Sequence, residues 1–130
     1  MNKFLTTNFC IFLILICFQI GALKVHAIGN VDWFLVKEND SGKEWLDLGS
    51  LKKINENEIT ALTRFYENPN ATKEKGETSL YLMKINCSSK KFKDISKNGI
   101  PTFNSKWELS NDDELIESVI DKSCSEEILQ

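Results

Sequence analysis

The stretch YLMKINCSSKK, residues 81–91, predicts a β-strand that ends in a cysteine and runs into a tight turn. Side chains of a strand alternate between its two faces, and one face here carries Tyr81, Met83, Ile85 and Cys87. We therefore expect this strand, over residues 77–87, to cover one side of a hydrophobic core, with the Cys87 sulfur buried in that core.

Other segments alternate in the same way or are rich in aromatic and β-branched residues, as strands are. They span residues 31–37, 43–47, 58–67, 92–95 and 102–107. Clusters of Gly, Asn, Asp and Pro between them predict turns, and the longest is a polar, mobile loop over residues 68–76. Residues 49–54 predict a single helical turn or a loop.

The end of the chain predicts a helix. Apolar residues from Leu115 to Ile120 recur at helical spacing, and Cys124 continues their stripe. Ser110 or Asn111 is the expected N-cap, and the acidic residues that follow favour the positive end of the helix dipole. The predicted fold class is α+β, with a single antiparallel β-sheet of about five or six strands and a C-terminal helix packed on one face.

The first 27 residues predict a secretory signal peptide. Lys3 precedes an uncharged apolar run over residues 9–23, and small residues precede a cleavage point after Ala27. The alternative is an uncleaved membrane anchor, for which the run is short. After cleavage no membrane span is expected, and the chain would lie in the periplasm, on the cell surface or outside the cell. The predicted divisions are a signal peptide (1–27), a folded domain (28–124) and a tail (125–130).

Cleavage makes the chain more acidic. The whole chain has a net charge of −3, and residues 1–27 hold two lysines and no acidic residue, so the mature chain has a net charge of −5. It shows no basic stripe, and we therefore expect no nucleic-acid partner. The remaining 103 residues are enough for one small domain with a single core.

Two cysteines, Cys87 and Cys124, remain after cleavage, and an exported chain is in an oxidising compartment. We expect them to form a disulfide, and the alternative is two independent buried thiols. The bond would tie the helix to the strand that ends at Cys87. It would close a loop of 38 residues, which the chain-entropy model values at about 4 kcal/mol.

Several kinds of catalytic site are excluded by composition. The only histidine, His26, leaves with the signal peptide, which removes Ser-His-Asp triads, Cys-His pairs and zinc sites that use histidine. The acidic run at Asp112, Asp113 and Glu114 is explained by the start of a helix. We expect a domain of this size to leave little room for the carboxylate-lined cleft of a glycosidase. The prediction is therefore no enzyme, no metal and no cofactor.

Trp33, Trp45 and Trp107 are many tryptophans for so small a domain. Core packing is the ordinary role of tryptophan, and the alternative is an exposed anchor at a binding surface. Trp45 is the first choice for such an anchor because it lies in a short hairpin near the sheet edge. Tyr66 and Trp33 complete the candidate binding surface.

The order of these features resembles the surface-adhesin protein E family. The matching positions are Trp33, Leu35, Trp45, Asp47, Leu51, Ser79, Cys87, Phe92, Trp107 and Cys124. The resemblance implies an antiparallel sheet with a disulfide-tied C-terminal helix, in an exported bacterial protein. The best known family member lies on the surface of a pathogen, can dimerise and binds host matrix and plasma proteins. This chain has no recognisable match to its host-binding regions, and we expect it to have no lipid-attachment cysteine.

Three functions are consistent with these observations. The first is an exported, non-enzymatic binding domain that engages a protein partner, or a second copy of itself, through an exposed sheet face or edge. The second is a soluble periplasmic inhibitor or envelope-maintenance protein whose loop over residues 68–76 inserts into a partner. The third is a small hydrolase, which requires a carboxylate-lined cleft.

Overall fold

The structure, a computed structural model, describes residues 30–125 of the 130-residue chain. The predicted signal peptide and nearly all of the predicted tail lie outside the described residues. Within residues 30–125, no helix is long and apolar enough to cross a membrane.

One antiparallel sheet and one helix make up the described part of the chain. Their bounds are β1 (Trp33–Asn39), β2 (Gly42–Lys53), β3 (Glu58–Glu67), β4 (Glu77–Asn86), β5 (Lys91–Lys97), β6 (Ile100–Pro101), β7 (Glu108–Leu109) and α1 (Glu114–Ser123). The first six strands are hydrogen-bonded in chain order, and β7 pairs with β5. Short turns join most successive strands, which is how antiparallel neighbours are connected. The α+β fold predicted from the sequence is confirmed.

The hydrophobic core lies between α1 and one face of the sheet. The helix contributes the buried side chains of Leu115, Val119 and Ile120. The strands contribute Leu46, Ile59, Ala61, Met83 and Ile85. The inward-facing side chains of the strands thus pack against the apolar stripe of the helix, and the backbone of α1 lies mainly against β1 and β2.

A disulfide joins the end of β4 to the end of α1, as the sequence predicts. The Cys87 and Cys124 sulfurs are 2.05 Å apart, and the two Cα atoms are 5.6 Å apart. Both residues are half-buried and pack against the core rather than inside it. The expectation that Cys87 is buried in the core is therefore corrected, because the bond lies at the end of the helix, where the core meets solvent.

The prediction of a helical turn or loop at residues 49–54 is wrong, because β2 continues to Lys53. The pairing of β2 with β3 is irregular between Asp47 and Lys52. Within this irregularity the Ser50 hydroxyl accepts a hydrogen bond from the Leu62 amide at 2.9 Å and so replaces a missing backbone acceptor. The buried Asp47 carboxylate accepts a further bond from the Gly49 amide at 3.1 Å. These side chains carry the strand through a bulge.

The prediction of a last strand over residues 102–107 is also wrong. Only Glu108 and Leu109 pair with the sheet there, opposite Phe92 and Lys91. Asn104 has a φ of 62°, which is incompatible with extended backbone.

The start of α1 differs from the prediction as well, because the N-cap is Asp113 rather than Ser110 or Asn111. Asn111 and Asp112 have φ angles of 47° and 67°, so the right-handed helix begins only after them. The Asp113 carboxylate accepts hydrogen bonds from the amides of Leu115 at 2.9 Å and Ile116 at 3.3 Å.

Candidate functional site

The sheet face opposite α1 carries a row of large side chains. Leu35 of β1 pairs with Trp45 of β2, Trp45 with Arg64 of β3, and Arg64 with Leu80 of β4. Paired residues share a face, and the neighbours of this row, such as Leu46, point towards the helix. We call the row, together with Trp33, the open face. Its leucines are exposed, Leu35 by 44% and Leu80 by 39%.

Arg64 is held between two indole rings at the centre of the open face. Its guanidinium carbon lies 4.8 Å from the ring centroid of Trp33 and 4.3 Å from that of Trp45. Both distances fit cation–π contacts. The buried Arg64 Nε has no hydrogen-bond partner among the described residues. The two rings therefore fix the orientation of the Arg64 guanidinium, whose Nε–H makes no hydrogen bond within residues 30–125.

The structure brings two of the three predicted surface residues into contact with one side chain. Trp33 and Trp45 are each half-buried, so each is neither a core residue nor a fully exposed anchor. Tyr66 lies on the same face of β3, but its phenol covers Gly76, where an added Cβ would overlap the ring. Trp107 lies apart from them and stacks with Lys93, whose ammonium is 4.8 Å from the ring centroid.

Sequence reasoning missed Arg64, the residue that links the two tryptophans. A signal was present in the period-two pattern of β3, where Arg64 alternates outward between Leu62 and Tyr66. Its pairing with Trp45 depends on the register between β2 and β3, and that register includes a bulge. The pairing could not be read from either strand alone.

The loop between β3 and β4 is tied back onto the strands it connects. Asn70 and Lys73 form an isolated bridge within it. The Lys73 ammonium lies 2.6 Å from Glu67 at the end of β3 and 3.2 Å from Glu77 at the start of β4. Exposed ion pairs contribute little stability each, but these two cross-link both ends of the loop.

A cavity of about 740 Å³ opens on the helix side of the sheet, and we call it the acidic cavity. It lies between the start of α1 and strands β2–β5. Its acidic lining residues are Glu44, Asp94, Glu108, Asp112, Asp113 and Glu114, and none of its lining residues is Lys or Arg. The expectation that the domain leaves little room for such a cleft is therefore wrong. The helix packs closely over β1 and β2, so part of the sheet beyond them remains uncovered.

Glu44 is the most deeply buried acidic residue of the acidic cavity, with only 2% of its surface exposed. Its Oε1 has no hydrogen-bond partner within residues 30–125. Burial raises the pKa of this carboxyl to about 7; the Thr63 hydroxyl partly offsets the rise, and the Asp113 and Asp94 carboxylates add to it. Near neutral pH the group is therefore poised between its neutral and charged forms.

Asp94 is a second carboxyl of the same cavity and is half-buried. Its Oδ1 likewise has no partner among the described residues. Burial raises its pKa above the usual value, the Glu108 charge adds to the shift and Lys97 opposes it. In the part of the chain that the structure describes, no three His, Cys, Asp or Glu side chains are placed to hold a metal ion.

The sequence did not single out Glu44 or Asp94. Glu44 alternates with Leu46 on the inward face of β2, and an acidic residue at an inward position is the signal that could have found it. The position of α1 across the sheet decides whether such a carboxyl faces the core or a cavity. No local sequence pattern predicts that position.

Comparison with known proteins identifies a family. The model of the family described as the Surface adhesin-E family matches residues 34–130, which is more than half of the chain. No curated protein and no solved structure matches the chain. The matched range contains both disulfide cysteines, the acidic cavity and all of the open face except Trp33, and it confirms the resemblance drawn from the sequence.

Proposed function

The chain belongs to the surface adhesin-E family, and we propose that it acts as an exported, non-enzymatic binding domain of the adhesin type. Its partner would be a protein, and it would bind at the open face. Family membership supports the adhesin-like role. The choice of surface rests on one observation, the guanidinium of Arg64 held between Trp33 and Trp45 beside two exposed leucines.

The composition of the open face favours a protein partner. Tryptophan and arginine are the residues most enriched at the energetic centres of protein interfaces. The indoles hold the Arg64 side chain in place, so binding would cost less side-chain entropy than ordering a free arginine. The complementary surface would offer an apolar patch for Leu35 and Leu80, with a carboxylate or carbonyl oxygen near its centre to accept from the guanidinium.

The proposal is tested by placing a charge on the open face. The purified domain would be assayed by biolayer interferometry against a panel of extracellular-matrix and plasma proteins, the partners that the family resemblance implies. Leu80→Lys puts an ammonium into the row at an already exposed position. Ile54→Lys is the matched control, because Ile54 is 47% exposed in the turn after β2. We expect Leu80→Lys to weaken binding at least about tenfold and Ile54→Lys to leave it unchanged.

Equal binding by the two variants and the parent domain would exclude the open face as the binding surface. A second copy of the chain is the other occupant that the family resemblance implies. Sedimentation velocity over a range of concentrations would detect a dimer. A dimer that Leu80→Lys dissociates and Ile54→Lys does not would assign the open face to self-association.

A further inference from the structure

The acidic cavity has more acidic side chains than helix capping and ion pairs within the fold account for. Asp113 caps α1, and Glu114 lies 3.3 Å from the Lys37 ammonium. The other four acidic lining residues have no Lys or Arg nitrogen within ion-pair distance among residues 30–125, and they are Glu44, Asp94, Glu108 and Asp112. The positive end of the helix dipole offsets part of the charge of the cap and of the acidic residues beside it. The four carboxyl groups without an ion-pair partner leave the cavity with a surplus of negative charge.

Glu44 is an unusual member of that set because it is both buried and unpaired. Buried polar atoms in native proteins nearly always have a hydrogen-bond partner, since an unmet one carries a desolvation cost. The Glu44 Oε1 has none among the described residues, and the side chain lines the cavity. The cost of removing the Glu44 oxygen from water is already part of the free energy of folding. A hydrogen-bond donor that enters the cavity would therefore bond to it without a further desolvation cost for Glu44.

Part of the lining of the acidic cavity is apolar. Phe65 and Phe92 contribute aromatic rings, and Met83 and Leu115 add apolar surface. The ring of Tyr81, which also lines the cavity, already has the Lys97 ammonium 5.2 Å from its centroid. Aromatic faces attract cations, and apolar walls bind a hydrocarbon stem. The volume lies within the range of small-ligand sites, and such sites combine apolar surface with polar groups that orient the ligand.

We propose that the acidic cavity binds an organic cation, a primary ammonium group on an apolar stem. The ammonium would donate to the Glu44 and Asp94 carboxylates, and the stem would lie against Phe65 and Phe92. A free alkylamine and a lysine side chain of a peptide share this chemistry. The site is on the opposite side of the sheet from the open face, so it is independent of the proposed adhesin surface.

The test is a two-dimensional ¹H–¹⁵N NMR titration of the folded domain with hexylamine. Hexan-1-ol, which has the same stem and no charge, is the ligand control. Glu44→Gln keeps the shape of the side chain and removes its charge, and Glu56→Gln makes the same charge change at an exposed turn position outside the cavity. We expect the amide signals around Thr63 and Asp94 to shift with hexylamine.

The expected dissociation constant for hexylamine is at least about tenfold lower than that for hexan-1-ol. Glu44→Gln should raise the constant for hexylamine at least about tenfold, while Glu56→Gln and the open-face variant Leu80→Lys should leave it unchanged. Should Glu44→Gln not fold, as judged by its NMR dispersion, Asp94→Asn takes its place. Equal affinity for amine and alcohol, or full affinity in the folded cavity variant, would overturn the proposal.

A pH series adds a readout that a purely structural role of Glu44 would not produce. The charged groups that act on Glu44 are Asp113 at the start of α1 and Asp94 on β5. Asp94 in turn is influenced by Glu108 on β7 and Lys97 on β5, and Lys37, the register partner of Glu44 on β1, is paired with Glu114. With a pKa of about 7, the ionised fraction of Glu44 rises from about one tenth near pH 6 to about nine tenths near pH 8. Hexylamine stays protonated across this range, so its affinity should rise about tenfold, and this rise should disappear in Glu44→Gln. A pH-independent affinity in the parent domain would contradict the assignment.

Two further probes identify the source of the cation. A capped lysine amide carries the ammonium on a peptide backbone, and hexylamine carries it on a free stem. Tighter binding of the capped lysine would assign the cavity to a peptide side chain, and tighter binding of hexylamine would assign it to a small amine. Failure of both to bind would overturn the proposal and leave the open-face assay untouched.

Discussion

Replacing Glu44 with Gln should remove a large part of the pH dependence of the stability of this domain. The carboxyl is 2% exposed, and burial is the first cause of the rise of its pKa from 4.5 to about 7. A carboxyl whose pKa is higher in the folded state favours folding when protonated. That stability is fully present below the unfolded-state pKa of 4.5 and is lost as the pH rises through the folded-state value near 7.

The size of the effect follows from the shift. Each pKa unit corresponds to about 1.4 kcal/mol, so the rise from 4.5 to about 7 corresponds to about 3 kcal/mol. The free energy of unfolding of Glu44→Gln, minus that of the parent domain, should therefore increase by about 3 kcal/mol between pH 4 and pH 8. Asp94 shifts in the same direction, but it is present in both proteins, and its contribution largely cancels in the difference.

The assay is urea unfolding of both proteins at several pH values, with the disulfide intact and with Glu56→Gln as the control. Taking the difference between variants removes the constant cost of burying the Gln amide. We expect the Glu44→Gln difference to rise with pH and the Glu56→Gln difference to stay flat. A flat difference for Glu44→Gln would show instead that the Glu44 carboxyl is ionised in the folded domain as easily as in the unfolded chain.

Three further changes test how the fold holds its two surfaces. Replacing both Cys87 and Cys124 with Ser should lower the free energy of unfolding by about 4 kcal/mol; an unchanged urea midpoint would show that the bond does not stabilise the fold. Asp113→Ala removes the N-cap of α1 and should lower the same free energy by about 1 kcal/mol, and equal thermal midpoints would contradict this role. Gly42→Ala places a Cβ against the Tyr66 carbonyl, so calorimetry should show a loss of about 1–3 kcal/mol, whereas a parent-like melting curve would show that β2 and β3 can separate slightly.

The parts of the fold that depend on local pattern were accessible from the sequence. The alternation in residues 58–67 and 77–87 predicted two central strands, and the helical spacing from Leu115 to Ile120 predicted α1. The disulfide followed from an exported chain with two remaining cysteines. In each case neighbouring residues supply the pattern, and the packing between helix and sheet reinforces it.

The parts that were missed depend on contacts between distant residues. The second half of β2 stays in the sheet because the Ser50 hydroxyl meets the Leu62 amide on β3. Arg64 joins the tryptophans only through the cross-strand register. The acidic cavity exists because α1 lies over one side of the sheet, and the buried Glu44 is part of its lining. None of these relations is visible within a single segment of the sequence.

An adhesin-type role requires this exported domain to be accessible from outside the cell. The most direct test is protease shaving of intact source cells, with the released peptides identified by mass spectrometry. The proposed adhesin-type role requires that peptides from residues 30–125 are released before the envelope is opened, with Cys87 and Cys124 still bonded. Protection of the whole domain until the envelope is opened would contradict it.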